Sequence, residues 1–249
     1  MPSQPKLRIF AGPNGSGKTT LYDSIKAIYF STKLFINADL LEEYFKKFNF
    51  INLSEYDVMI SDFAFQKFCT SNGLFKKAKF STQTFNLSVR ENIIVKTDPS
   101  LSTTFNSYHF AILADLIRHE LIATKKSFSF ETVFSHPSKL DLITFAQLNG
   151  FKVYLYFIGT ETPLMNLERV KDRIKKGGHP VEGNKIVKRY FLTLELLIDM
   201  IKNVDETYLW DNSGKEHKYL GNIRNGLLEF QQSTIPAWID KFILDKFKS

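Results

Sequence analysis

Cysteine is almost missing from this chain: Cys69 is the only one among 249 residues. No intrachain disulfide can form, and neither a disulfide framework nor a cysteine zinc site is available. No apolar run approaches the roughly 20 residues that cross a bilayer. Residues 1–16 pass from a short polar start into an apolar run and a glycine loop, without a signal-peptide pattern. A cytoplasmic protein without membrane contact is expected. His179 could serve as a zinc or acid/base residue but has no second histidine nearby, so a structural role is expected. His109, His119, His136 and His217 carry no ligand spacing, and no Ser-His-Asp or Cys-His arrangement suggests a hydrolase. Acidic residues are in deficit, 26 against 33 basic ones, a net charge of +7. Such a surplus can neutralise nucleic-acid phosphates. The lysines are scattered in pairs, however, at Lys46-Lys47, Lys76-Lys77, Lys125-Lys126 and Lys175-Lys176, with no aromatic-interleaved basic stripe. A solvated surface around a pocket for an anionic small molecule explains the balance, and nucleic acid is not the expected partner.

What the chain has in quantity is apolar bulk: 43% hydrophobic residues and 24 phenylalanines, enough for a sizeable core and for lining clefts. Its length fits one α/β domain with elaborations. Short apolar runs at Lys6–Ala11, Lys33–Asn37, Ser127–Glu131, Lys152–Ile158 and Thr207–Trp210 read as five strands. Helical patterns fall between them: Lys18–Tyr29 with Leu21, Ile25 and Ile28 on one face, Ser107–Thr124, and Lys139–Asn149 closed by Gly150. Strands alternating with helices predict a mostly parallel five-stranded sheet with helices on both faces. Residues 50–106 break the alternation. Phe80, Thr82 and Thr84 alternate with polar neighbours, so this stretch reads as a helix and then a small β-containing insertion. Ile235–Phe247 reads as an amphipathic helix after Pro236.

The run Gly12-Pro13-Asn14-Gly15-Ser16-Gly17-Lys18-Thr19, continued by Thr20, matches the Walker A pattern completely. The chemistry requires these residue types. Glycines let backbone N–H groups turn inward on phosphates, and the helix N-terminus adds partial positive charge. The pattern puts Lys18 on the β- and γ-phosphates of ATP and the Thr19 hydroxyl on Mg²⁺.

In a parallel sheet, ligands sit at the carboxyl ends of the strands, and polar residues fall there. Asp39 follows the second strand, where it can take a proton from an attacking hydroxyl or cap a helix beginning at Leu40. Glu131 ends the third strand, as a magnesium-side carboxylate or as a surface charge. Asp211 and Asn212 follow the fifth, and Asn212 is a candidate nucleotide contact. From Pro163 to Gly178, the helical pattern places Leu164, Leu167, Val170 and Ile174 on one face. Arg169 and Arg173 stand four apart on another, as a phosphate clamp or as part of a solvated basic helix.

Together, AGPNGSGKTT (11–20), FINADL (35–40), SFETVFSH (129–136), LERVKDRIKKGGHP (167–180), KRYFLTLELL (188–197) and YLWDNS (208–213) resemble the zeta-toxin family of P-loop kinases. The resemblance covers nearly the whole chain apart from about 50–106. It implies the P-loop nucleoside-triphosphate-hydrolase fold in a single kinase domain over 1–249, with an insertion at 50–106 near the acceptor site and a lid at 163–180. It implies an ATP- and Mg²⁺-dependent kinase acting on a hydroxyl of a small molecule such as UDP-N-acetylglucosamine, with an antitoxin protein as a partner. By position, Lys18 and Thr19 would hold ATP and Mg²⁺, Asp39 would be the catalytic base, and Glu131 would lie beside substrate and metal. Arg169 would be the first lid arginine and Arg173 the nearest candidate for the second. A nucleoside or polynucleotide 5′-kinase and an ATP-dependent protein-binding module are the alternatives.

Overall fold

The computed structural model describes residues 4–30, 34–177 and 181–247. Gly178, His179 and Pro180 at the end of the expected lid, and Lys33 at the start of the expected second strand, lie outside them. The chain divides into two compact units, Met1–Phe35 with Ser127–Ser249, and Ile36–Lys126.

The chain begins with β1 (Lys6–Ala11), α1 (Lys18–Tyr29) and β2 (Phe35–Ile36). Then follow α2 (Ala38–Phe48), β3 (Ile51–Asn52), α3 (Asp62–Ser71), α4 (Gly73–Lys77), α5 (Thr82–Phe85), β4 (Leu87–Arg90), β5 (Ile93–Lys96) and α6 (Ser107–Ala123). The chain continues with β6 (Phe128–Thr132), α7 (Leu140–Leu148), β7 (Lys152–Gly159), α8 (Pro163–Lys175), α9 (Gly183–Glu195) and α10 (Leu197–Lys202). It closes with β8 (Glu206–Asp211), β9 (Lys218–Arg224), β10 (Leu227–Phe230) and α11 (Ala237–Ile239), which runs on through a π-helical stretch at Asp240–Leu244.

The central sheet has the order β10-β9-β8-β7-β1-β6-β2. β6, β1, β7 and β8 are parallel neighbours. All five expected strands are therefore in one sheet, and the sheet is larger than expected: β9 and β10 extend it antiparallel to seven strands. The turn between them, Asn225-Gly226, has φ of 50° and 74°. Both residues tolerate positive φ, as a two-residue hairpin turn demands.

Side chains alternate across the strands. Leu7, Ile9, Val153, Leu155, Phe157 and Leu209 on one face are all fully buried. Trp238 of α11 packs on this side, its ring centroid 5.7 Å from that of Phe157. The other face carries Phe10 and Ile158, against which α1 lays Leu21, Tyr22 and Ile25. Ile28, expected on that same apolar face, is 73% exposed, and Phe30 just past the helix packs into this cluster instead. Leu164 is likewise 64% exposed and Ile174 is exposed too, and the buried residues of α8 are Asn166 and Val170.

In the second unit, β3, β5 and β4 form a small antiparallel sheet, as expected for a β-containing insertion. The alternation at Phe80, Thr82 and Thr84 is not a strand. Ser81 caps the helix α5 by accepting from the Thr84 N–H, while the Thr84 hydroxyl accepts from the Ser81 N–H. That reciprocal capping satisfies two helix-end donors and overrides the period-two pattern. Phe45, Phe65, Phe85 and Phe110 form the core of this unit, and α6 buries Leu113, Leu116, Ile117 and Leu121 completely.

Candidate active site

Parallel pairing puts the carboxyl ends of four strands at one edge. Phe10 pairs with Glu131, Ala11 with Thr132 and Phe157, and Gly159 with Asp211. The Walker A loop leaves β1 at that edge and enters α1 with Gly17 as its N-cap residue, at φ 86° and ψ 26°. L-residues with a Cβ avoid this conformation. A Cβ on Gly17 would also lie 2.4 Å from Asn212 Nδ2 and 2.7 Å from His217 Nε2.

Lys18 is buried, and its ammonium donates to the Pro13 carbonyl at 2.9 Å. The same Nζ lies 3.6 Å from Glu131 Oε1. Thr19 Oγ1 donates to the other carboxylate oxygen, Glu131 Oε2, at 2.5 Å. Residues 112 positions apart thus bring an ammonium, a hydroxyl and a carboxylate together at the first turn of α1. Thr20 is exposed. Two buried side-chain oxygens of the loop, Asn14 Oδ1 and Ser16 Oγ, have no hydrogen-bond partner.

Thr19 and Glu131 form an all-oxygen donor pair, the hard set that suits Mg²⁺, which binds through one or two protein groups together with phosphates and waters. No group of three or more His, Cys, Asp or Glu side chains able to hold a metal occurs among the described residues. The residues therefore fit magnesium brought with a nucleotide and offer no closed protein cage.

Arg169 on α8 donates to the Asn212 carbonyl at 2.7 Å and to the Gly214 carbonyl at 3.3 Å. Its guanidinium therefore ties α8 to the turn after β8. Arg173 stands one turn further along α8, exposed. Asn212 is buried, and its side chain donates to the Ser16 carbonyl at 2.9 Å, so it braces the glycine loop from behind. His217, given no role by its spacing in the sequence, sits with Nε2 3.0 Å from the Gly17 carbonyl. Burial lowers its pKa from the ordinary value and the Arg169 charge lowers it further, while the Gly17 carbonyl opposes them. Asp211 accepts from Trp238 Nε1 at 2.9 Å and from the Ser213 hydroxyl at 2.8 Å, locking the turn at its root.

Asp39 belongs to the second unit. The helix it was expected to cap begins one residue before it: α2 starts at Ala38, with Asn37 as the N-cap accepting from the Asp39 N–H at 2.8 Å. Asp39 is thus an exposed residue of the first helical turn and not a cap.

No protein-family model matches this sequence. An uncharacterized protein of Haemophilus influenzae (strain ATCC 51907 / DSM 11121 / KW20 / Rd) is 32% identical over 83 residues, 33% of this chain and 52% of its own length. The crystal structure of AvrRxo1-ORF1:AvrRxo1-ORF2 with sulphate ions matches at a TM-score of 0.56 and 16% identity. It aligns over 97% of this chain and 64% of its own. The AvrRxo1-ORF1:-ORF2 structure with ATP matches over the same shares at 0.58 and 16% identity. This chain thus spans about half of the curated relative and less than two thirds of the AvrRxo1 chain. At such identities the likeness carries the fold alone: an α/β fold with a mostly parallel sheet flanked by helices, shared with the AvrRxo1 structures. No helix among the described residues is long and apolar enough to cross a membrane.

Proposed function

We propose that this chain is an ATP-dependent phosphotransferase of zeta-toxin type, passing the γ-phosphoryl group of ATP to a hydroxyl of a small molecule. The observation that carries the reading is the convergence of Lys18 and Thr19 on Glu131 at the Walker A loop. A nucleotide-binding loop alone serves many ATP users, whereas an ammonium and a hydroxyl sharing one carboxylate suit a site built around a transferring phosphoryl group. Thr19 and Glu131 would hold Mg²⁺, which when bound neutralises charge on the phosphates. Lys18 offers its ammonium to phosphate oxygens in place of the Pro13 carbonyl. The hydrogen bond that Thr19 gives to Glu131 leaves its lone pairs free to face a cation. Arg169 and Arg173 supply cationic charge from α8.

The finer assignments rest on the family resemblance. Asp39 is the base that accepts the proton of the attacking hydroxyl, and the acceptor is a sugar nucleotide such as UDP-N-acetylglucosamine. A protein partner that restrains the enzyme belongs to the same reading, and the AvrRxo1 relative was solved as an ORF1:ORF2 complex. A test is incubation of the pure protein with γ-labelled ATP, Mg²⁺ and either UDP-N-acetylglucosamine or a cell metabolite extract. Label in a sugar nucleotide supports the full reading. Label in another hydroxyl compound keeps the kinase and replaces the acceptor. Only acceptor-independent phosphate release removes the kinase.

A further inference from the structure

The glycine loop is held from outside by the segment that follows β8, and the grip falls on two successive peptide groups. Asn212 Nδ2 donates to the Ser16 carbonyl at 2.9 Å, and His217 Nε2 meets the Gly17 carbonyl at 3.0 Å. A peptide unit is planar and trans, so its N–H points opposite to its C=O. Holding the carbonyls of residues 16 and 17 therefore sets the directions of the N–H groups of Gly17 and Lys18. Those are the groups that a Walker A loop turns toward phosphate. Gly17 needs this help more than its neighbours. Glycine fixes its own peptide planes weakly, and the Gly17 carbonyl also starts α1 by accepting from the Leu21 N–H at 3.0 Å. Its second lone pair is what His217 takes.

From this geometry we infer that His217 is a positioning residue for the nucleotide: it aims the Gly17–Lys18 peptide so that the loop presents its N–H groups to the ATP phosphates. The inference rests on the phosphotransferase reading and adds a residue to its site. Nε2 carries the proton, since its partner is a carbonyl. Asn212 does the same for the preceding peptide. The segment that bears both is itself anchored. Arg169 holds the carbonyls of Asn212 and Gly214, and the Asn212 N–H donates to the Gly159 carbonyl at 2.9 Å.

The experiment compares the full chain with His217→Ala and His217→Gln, reading ATP affinity by calorimetry in Mg²⁺ and the backbone amide resonances of Gly17 and Lys18 without nucleotide. Loss of one such hydrogen bond is expected to weaken ATP binding about five- to tenfold in His217→Ala and to move both amide resonances. Glutamine places an N–H donor near the position of Nε2 and is expected to recover affinity to within about threefold of wild type. Wild-type affinity with unmoved amides in His217→Ala overturns the inference, as does a His217→Gln variant no better than the alanine. Should the wild-type chain itself bind no ATP, the phosphotransferase reading falls. The amide resonances then still report separately whether His217 sets the loop.

Discussion

Thr19 Oγ1 and Glu131 Oε2 lie 2.5 Å apart, joining the start of α1 to the end of β6. The register of the sheet makes this possible: Phe10, just before the loop, pairs with Glu131 on the adjacent parallel strand. If this pair is the magnesium side of the site, Glu131→Gln should keep the packing while weakening the cation's hold. The expected result is a fall in kcat of about 100-fold or more and a higher Mg²⁺ requirement. Steady-state rates across a Mg²⁺ titration check this, and unchanged magnesium dependence removes Glu131 from the metal assignment.

Asp39→Ala tests the proposed assignment of Asp39 as the base. With the cap of α2 supplied by Asn37, the substitution leaves the helix its N-terminal hydrogen bond. ATP affinity is expected within about twofold of wild type, while phosphoryl transfer drops by about 10²–10⁴-fold, the usual worth of a general base. Transfer to acceptor at the wild-type rate would sink the assignment.

Arg169 is worth testing with lysine as well as alanine. Its fork spans two carbonyls, at Asn212 and Gly214. An ammonium is a point charge that cannot reproduce that bidentate reach. Arg169→Ala is expected to cost about 1–3 kcal/mol and to speed amide hydrogen exchange over 212–217. Arg169→Lys should recover little of either. Full protection in the lysine variant would mean that charge alone, not geometry, holds the turn.

His217 gives a pH signature. Its folded-state pKa is depressed, by burial first and by Arg169 next, so the neutral form is the one the fold favours. That contribution is fully present above the ordinary histidine value of 6.5 and is lost as the pH falls through the lowered value. Between pH 7 and 5 the wild-type melting temperature should therefore fall further than that of His217→Gln, which has no group titrating at that position. Equal falls would show that the imidazole does not titrate against folding.

Much of this is legible in the residues alone. Each of the five runs read as strands contains a strand, although the second, read over Lys33–Asn37, is strand among the described residues only at Phe35–Ile36 because Asn37 already caps α2. α1 occupies Lys18–Tyr29 as its pattern implies, and Lys18, Thr19 and Glu131 meet. The β9–β10 hairpin was missed although Asn225-Gly226 announces it, because the flanking residues do not alternate cleanly between apolar and polar. At Phe80–Thr84 the pattern misled, since four residues with a capping serine make a helix turn as readily as a strand. His217 offered no signal. A single histidine has no spacing, and its partner lies 200 positions earlier.

The division follows from the range of the forces involved. A Walker A loop works through its own backbone, so strand, glycines, lysine and threonine must be contiguous. The sequence by itself therefore determined the loop, the helix behind it and the parallel α/β class. What holds the loop in shape was decided only by tertiary structure. Asn212 and His217 reach it, and Arg169 holds the turn that bears them, because β1, β7 and β8 lie side by side with their carboxyl ends in register. Their hydrogen bonds end on backbone carbonyls, which every residue type possesses, so nothing in the residues of the loop foretold their partners.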